Sequence, residues 1–146
     1  MKSEDIIDLW TDDCKVDDVD LDVESLKIPT LHGKYLRIYS KERKILRALE
    51  IKRKQLKQTL YDYFKGDLND PSTLEELKRQ PFDRIVLKNE IPDMIDADNA
   101  MMQLNIRMAV QRESVEVCEE IMKSINTRGF AIKNAIEWRR LTNFGT

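Results

Sequence analysis

From Thr30 to Lys65 the apolar positions repeat with the period of a helix. At about 100° per residue, Tyr35, Ile38, Tyr39, Ile45, Leu46, Leu49, Leu56, Leu60, Tyr63 and Phe64 fall on one arc about 120° wide. Lys34, Arg37, Lys41, Arg43, Lys44, Arg47, Lys52 and Lys54 spread over the rest of the circumference. Gly66 follows directly, where a helix-ending glycine belongs. A second helical pattern runs from Asp93 to Phe144 with a different period. Met101, Leu104, Met108, Gln111, Val115, Cys118, Met122, Ile125, Gly129, Ile132 and Ile136 alternate steps of three and four over five heptads. That is the seam of a coiled coil rather than the stripe of a globular helix. Gln111 and Gly129 interrupt it. A polar seam residue sets register at some cost in stability. A glycine inside a helix costs about 1 kcal/mol against alanine, so Gly129 marks a kink between two helices or a close backbone contact.

The remaining segments are shorter. Ser3 to Trp10 reads as a helix capped by Ser3, with Ile6, Ile7, Leu9 and Trp10 as its apolar face. Thr11 to Lys27 is acid-rich with alternating valines and leucines, and reads as an extended arm or a small helix. Pro29 closes it, because the residue before a proline avoids the helical region. Between Asp67 and Ile91, Pro71, Ser72 and Thr73 open a short helix that Pro81 stops. "RIVLKNEI" is then a short strand or extended segment ended by Pro92. The expected architecture is all-α: a long antiparallel helical hairpin plus a C-terminal helix after Gly129. The chain divides into an acidic arm over 1–29, a basic long helix and connection over 30–92, and a heptad helix with a C-terminal assembly helix over 93–146. One hairpin cannot bury apolar faces of this length on both helices, so self-association is expected.

Composition sharpens this picture. Charged residues make up 36% of the 146 positions and hydrophobic ones 41%, a balance that suits long two-sided helices more than a thick core. The net charge of −2 conceals a separation. Met1–Ser25 carries ten acids against two bases, and Lys34–Lys57 carries ten bases against two acids. A polyanion partner for the basic stretch is one reading, and an acidic arm folded over it is the other. No apolar run reaches the roughly 18 residues of a membrane span, and the acidic N-terminus lacks a secretion signal. Cys14 and Cys118 stand far apart, which fits a reduced, intracellular setting.

Catalytic chemistry is not legible. His32 is the only histidine, the glycines are isolated, and the adjacent acid pairs point apart on a helix. No enzyme, metal or cofactor is expected. The basic helix is the feature that carries chemistry, since lysines and arginines along one helix can neutralise successive phosphates. Tyr39, Tyr61, Tyr63 and Phe64 lie nearby and could stack on unpaired bases, although their helical phase places most of them in the core. Arg53 falls inside the apolar arc, where a guanidinium needs a carboxylate or a ligand. Trp138, Arg139 and Arg140 offer either an interface anchor or a second basic contact.

Two blocks carry a family resemblance. "TRGFAIKNAIEWR", Thr127 to Arg139, resembles the C-terminal block of the UvsY family of phage recombination mediators. "LEIKRKQLKQTLYDYFKG", Leu49 to Gly66, resembles that family's central basic helix. The resemblance implies a ring-shaped homo-oligomer, a hexamer or heptamer, in the cytoplasm of an infected host cell. It implies binding to single-stranded DNA and contact with a RecA-like recombinase and a single-strand-binding protein, with the recombinase loaded onto coated DNA and no catalysis. The family's DNA-binding run matches Arg53, Lys54 and Lys57, and Lys44 and Arg47 of the same helix join them as candidates. The family's further basic pair before the tyrosines is replaced by Gln58 and Leu60. Ile125, Gly129, Phe130, Ile132, Ile136, Trp138 and Leu141 are the candidate oligomer contacts. The alternative is a coiled-coil assembly or adaptor protein that binds no DNA.

Overall fold

The computed structural model describes residues 1–144. It contains five α-helices: α1 (Ser3–Asp13), α2 (Leu21–Lys65), α3 (Pro71–Leu77), α4 (Ile91–Ala97) and α5 (Asn99–Phe144). A single 3-10 turn, Lys88–Glu90, precedes α4, and the described residues contain no β-strand. The chain forms two compact units, Leu46–Ala109 and the remainder on either side of it. Both long helices contribute to both units.

In the unit built from Met1–Ile45 and the chain from Val110 onward, α1 docks through Ile6 into a core of Tyr35, Cys118, Ile121 and Ile125. Trp10 meets Tyr35 edge-on at 5.4 Å. Helices α2 and α5 run antiparallel here, as the pairs Glu24–Arg128, Tyr39–Glu119 and Glu42–Gln111 require. The polar seam position Gln111 has a defined partner. Its Nε2 donates to the backbone oxygen of Glu42 at 2.8 Å and to the buried Glu42 carboxylate at 2.7 Å. A buried acid and a seam amide thus satisfy each other and fix the register of the pair.

Two expectations are corrected in this unit. Helix α2 begins at Leu21 and passes through Pro29 without a break. The acid-rich stretch is therefore the end of α1, a short turn and the first turns of α2, not an extended arm. Leu21 and Glu24 are buried there, and that packing outweighs the one N–H that proline withholds. Ser25, whose carbonyl loses that bond, is exposed, so water can take its place. Nor does a separate C-terminal helix follow Gly129, because α5 is continuous from Asn99 to Phe144. A Cβ added at Gly129 would meet nothing within 4 Å, so no close approach within the chain explains the glycine.

In the unit Leu46–Ala109, Leu60, Phe64, Ile91, Ile95 and Met101 form one cluster, and Leu49, Leu104 and Met108 another. Gly66 closes α2 at φ +89°, with Asp67 N–H bonded to Asp62 O and Gly66 N–H to Tyr63 O. This is the paired closure that a left-handed glycine permits. Asp70 caps α3 by accepting from Ser72 N–H. Asp98 separates α4 from α5. Its backbone is extended, its carboxylate accepts from the amides of Ala100 and Met101, and Arg79 pairs with it at 2.6 Å. Pro92 sits in the first turn of α4 and so opens that helix rather than ending the segment before it. "RIVLKNEI" forms no strand.

Candidate nucleic-acid interface

Within Leu46–Ala109, the piece of α2 up to Lys57 carries five bases, Arg47, Lys52, Arg53, Lys54 and Lys57, against one acid, Glu50. Leu46, Leu49 and Leu60 fix the buried side of the helix. Arg47 and Lys54, seven residues apart, come out on the opposite side with Ile51 between them. Arg47, Lys52, Lys54 and Lys57 are all exposed, and none has an ion-pair partner among the described residues. Ile51 is 57% exposed in the middle of these cations. Helical phase alone places it opposite the core, but a search of the sequence for charge passes over it.

Arg53 stands apart from this face. It is half-buried, and its Nε donates to Asn105 Oδ1 on α5 at 2.9 Å. The partner is an amide, not the carboxylate that an internal ion pair would supply. Lys57 lies near the edge of the core-facing side, one turn beyond Arg53. The structure therefore brings Arg47 and Lys54 together and sets Arg53 and Lys57 to one side.

In the other unit α2 carries Lys34, Arg37, Lys41, Arg43 and Lys44. Of these only Lys34 has an ion pair among the described residues, to Asp13 of α1 at 2.6 Å. Lys44 is exposed, and Arg43 lies over the Tyr39 ring at 5.8 Å. The acid-rich N-terminal stretch thus pairs with Lys34 through Asp13 and with Lys27 through Glu24, and leaves Arg37, Lys41, Arg43 and Lys44 without an ion pair among the described residues. Its own anchor is Arg128, whose guanidinium donates to the backbone oxygens of Asp13 and Lys15 and to Glu24 at 3.0 Å. Both side chains of that last pair are more than nine-tenths buried.

The aromatic residues are mostly occupied. Tyr63 and Phe64 pack edge-on or tilted against Phe82, Tyr61 packs on the same cluster, and the Tyr39 hydroxyl donates to Glu119. The outer side of α2 in the unit Leu46–Ala109 therefore offers charge and the apolar side chain of Ile51 rather than stacking rings. Such a surface suits backbone contact that is independent of sequence.

The candidate oligomer contacts separate into two groups. Ile125 and Ile132 are buried in their own unit, and Gly129 is half-buried. Phe130, Trp138 and Leu141 are 70%, 68% and 69% exposed, and Ile136 is 37% exposed. By helical phase Phe130, Trp138 and Leu141 lie roughly opposite Ile132. No group of three or more His, Cys, Asp or Glu among the described residues could hold a metal ion. No described helix is long and apolar enough to cross a membrane.

The family model described as "Recombination, repair and ssDNA binding protein UvsY" matches residues 9–145. No curated protein matches the chain by sequence. Among solved structures, one crystal form of the bacteriophage T4 recombination mediator protein UvsY superimposes with a TM-score of 0.84 at 20% identity, covering 97% of this chain and 99% of that one. A second crystal form of the same protein gives 0.81 at 22% identity, covering 98% of both chains. These likenesses establish the fold.

Proposed function

Since the chain belongs to the UvsY family of recombination, repair and single-stranded-DNA-binding proteins, we propose that its outer basic face on α2 holds the phosphates of single-stranded DNA. The observation that carries this reading is the set Arg47, Lys52 and Lys54, exposed around Ile51 and without an ion pair among the described residues. Cations that no carboxylate neutralises exchange their counter-charge for phosphate on binding. Arg53, tied to Asn105, has a mainly positioning role.

The protein acts as a recombination mediator of a phage, in the cytoplasm of the infected cell. It holds DNA and helps a RecA-like recombinase onto strands coated by single-strand-binding protein, with no catalytic step of its own. Scattered phosphate contacts repeated around a homo-oligomeric ring of six or seven copies give avidity without a deep site, so that DNA can be handed on. The far end of α5 supports assembly. From Phe130 onward it offers exposed apolar side chains on two sides, Ile136 on one and Phe130, Trp138 and Leu141 on the other. A helix end of this kind needs neighbours on both sides, and a contact that is not self-complementary closes into a ring when its rotation allows.

The test is binding of a labelled oligothymidine to the wild type and to the Arg47→Ala/Lys54→Ala double variant at low salt. Wild-type binding that weakens at least about tenfold in the variant supports the assignment. Equal affinity moves the DNA elsewhere, and no binding by the wild type favours an adaptor that assembles without DNA.

A further inference from the structure

Between α3 and α4 the chain makes an unusual exposure. Ile85 is the most exposed large apolar side chain among the described residues, at 102%, and Leu87 is 64% exposed. Between them Val86 turns inward and packs, with Phe82, on the cluster around Leu60 and Ile91. Outward, inward, outward is the period of an extended chain, and the backbone at Leu87 is extended at φ −69°, ψ 142°. The segment is held at both ends. Phe82 packs on Tyr63 and Phe64, and the Leu87 carbonyl accepts from Glu90 at the turn before α4.

The backbone is the second observation. From Phe82 to Val86 no main-chain N–H or C=O has a hydrogen-bond partner among the described residues. Exposed apolar side chains alone would suit any apolar groove. A row of unpaired donors and acceptors in an extended stretch, open to water, is also a template that another extended chain matches at the same spacing. The described residues contain no strand to match it. The composition agrees, since the β-branched Ile85 and Val86 favour pairing in a sheet.

Charge selects among possible occupants. Arg84 and Lys88 flank the apolar residues, both exposed and both without an ion pair among the described residues. Antiparallel pairing of two copies with Ile85 opposite Leu87 would set Arg84 against Lys88, a like-charge contact that weakens a sheet. We infer that Ile85–Leu87 is a strand-donating segment that adds to an exposed sheet edge of a partner protein, with carboxylates on that partner facing Arg84 and Lys88. This rests on the reading that the protein works with a RecA-like recombinase, which serves as the probe.

The experiment compares the wild type with the Ile85→Asp/Leu87→Asp variant, whose substituted side chains touch little of the fold. Binding to the recombinase is measured by interferometry, and amide hydrogen exchange of residues 82–88 is followed in the free chain and in the complex. The expected result is affinity for the recombinase weakened about tenfold or more, with oligomer mass and DNA affinity unchanged. In the wild-type complex, amides that exchange freely in the free chain become protected. Equal binding by the variant, or amides that stay unprotected in the complex, overturns the inference and leaves the DNA-binding reading intact. Protection already present in the free oligomer makes a second copy the occupant and overturns it as well. A wild type without affinity for the recombinase removes both the partner reading and the inference.

Discussion

Arg128 joins parts of the chain that are more than a hundred positions apart. From α5 it holds the backbone after α1 and the Glu24 carboxylate at the start of α2. Removing it strands a buried acid and frees two carbonyls, so Arg128→Ala is expected to lower Tm clearly, as measured by a thermal melt. An unchanged Tm would mean that Lys27, 2.9 Å from Glu24, suffices alone. The same cluster sets a pH dependence. Burial pushes the Asp13 carboxyl up, but hydrogen bonds from Lys34 and Tyr35 outweigh it and hold it below its ordinary value of 3.8. Glu24 is held below 4.5 chiefly by its bond from Lys27, against burial and with help from Arg128. Groups with a depressed folded pKa contribute stability that is complete above the ordinary carboxylate range and disappears as pH falls through the lowered values. Chemical denaturation midpoints are therefore expected to be flat near neutrality and to fall with acid below these values, less steeply in Arg128→Ala. A slope that is the same in the variant would assign the acid sensitivity to other carboxylates. None of this is legible in the sequence. Arg128 stands inside a recognisable block, but only the fold reveals which carbonyls it meets.

Among the elements, the two long helices are legible in the sequence because their patterns run for dozens of residues. The heptad seam from Met101 to Ile132 is the inward face of α5, with Ile136 at its exposed end. Local breakers are the misleading signals. Pro29 and Gly129 argue for boundaries from backbone preference, and burial of Leu21, Glu24 and Tyr35 around the first and of Ile125 and Ile132 around the second overrides each of them. Because a Cβ at Gly129 meets open space, Gly129→Ala is expected to stabilise the chain by about 1 kcal/mol, read as a higher denaturation midpoint with the assembly retained. A lower mass in that variant would show that helices of neighbouring copies meet at this glycine. On α2 the charge pattern gathers the cations but does not sort them. Phase and burial together separate Arg47 and Lys54 on the outer face from Arg53, which faces Asn105.

The function proposed for the whole molecule joins an assembly end on α5 to a phosphate-holding face on α2. Trp138→Ala combined with Leu141→Ala removes two exposed apolar side chains, and it is expected to yield smaller species in native mass spectrometry without loss of helicity. A ring mass unaffected by the change would place assembly on another surface. Those smaller species should also bind DNA more weakly than the ring, since avidity falls with the number of linked contacts. The most direct measurement of the central claim is the affinity for single-stranded DNA across a salt series, from about 50 to 200 mM, for the wild type and for Arg47→Ala/Lys54→Ala. A phosphate-holding face predicts a steep linear fall of log affinity with log salt, made shallower in the variant by about 0.7 for each phosphate that is no longer neutralised. An affinity that does not change with salt, or a slope the variant leaves untouched, would contradict it.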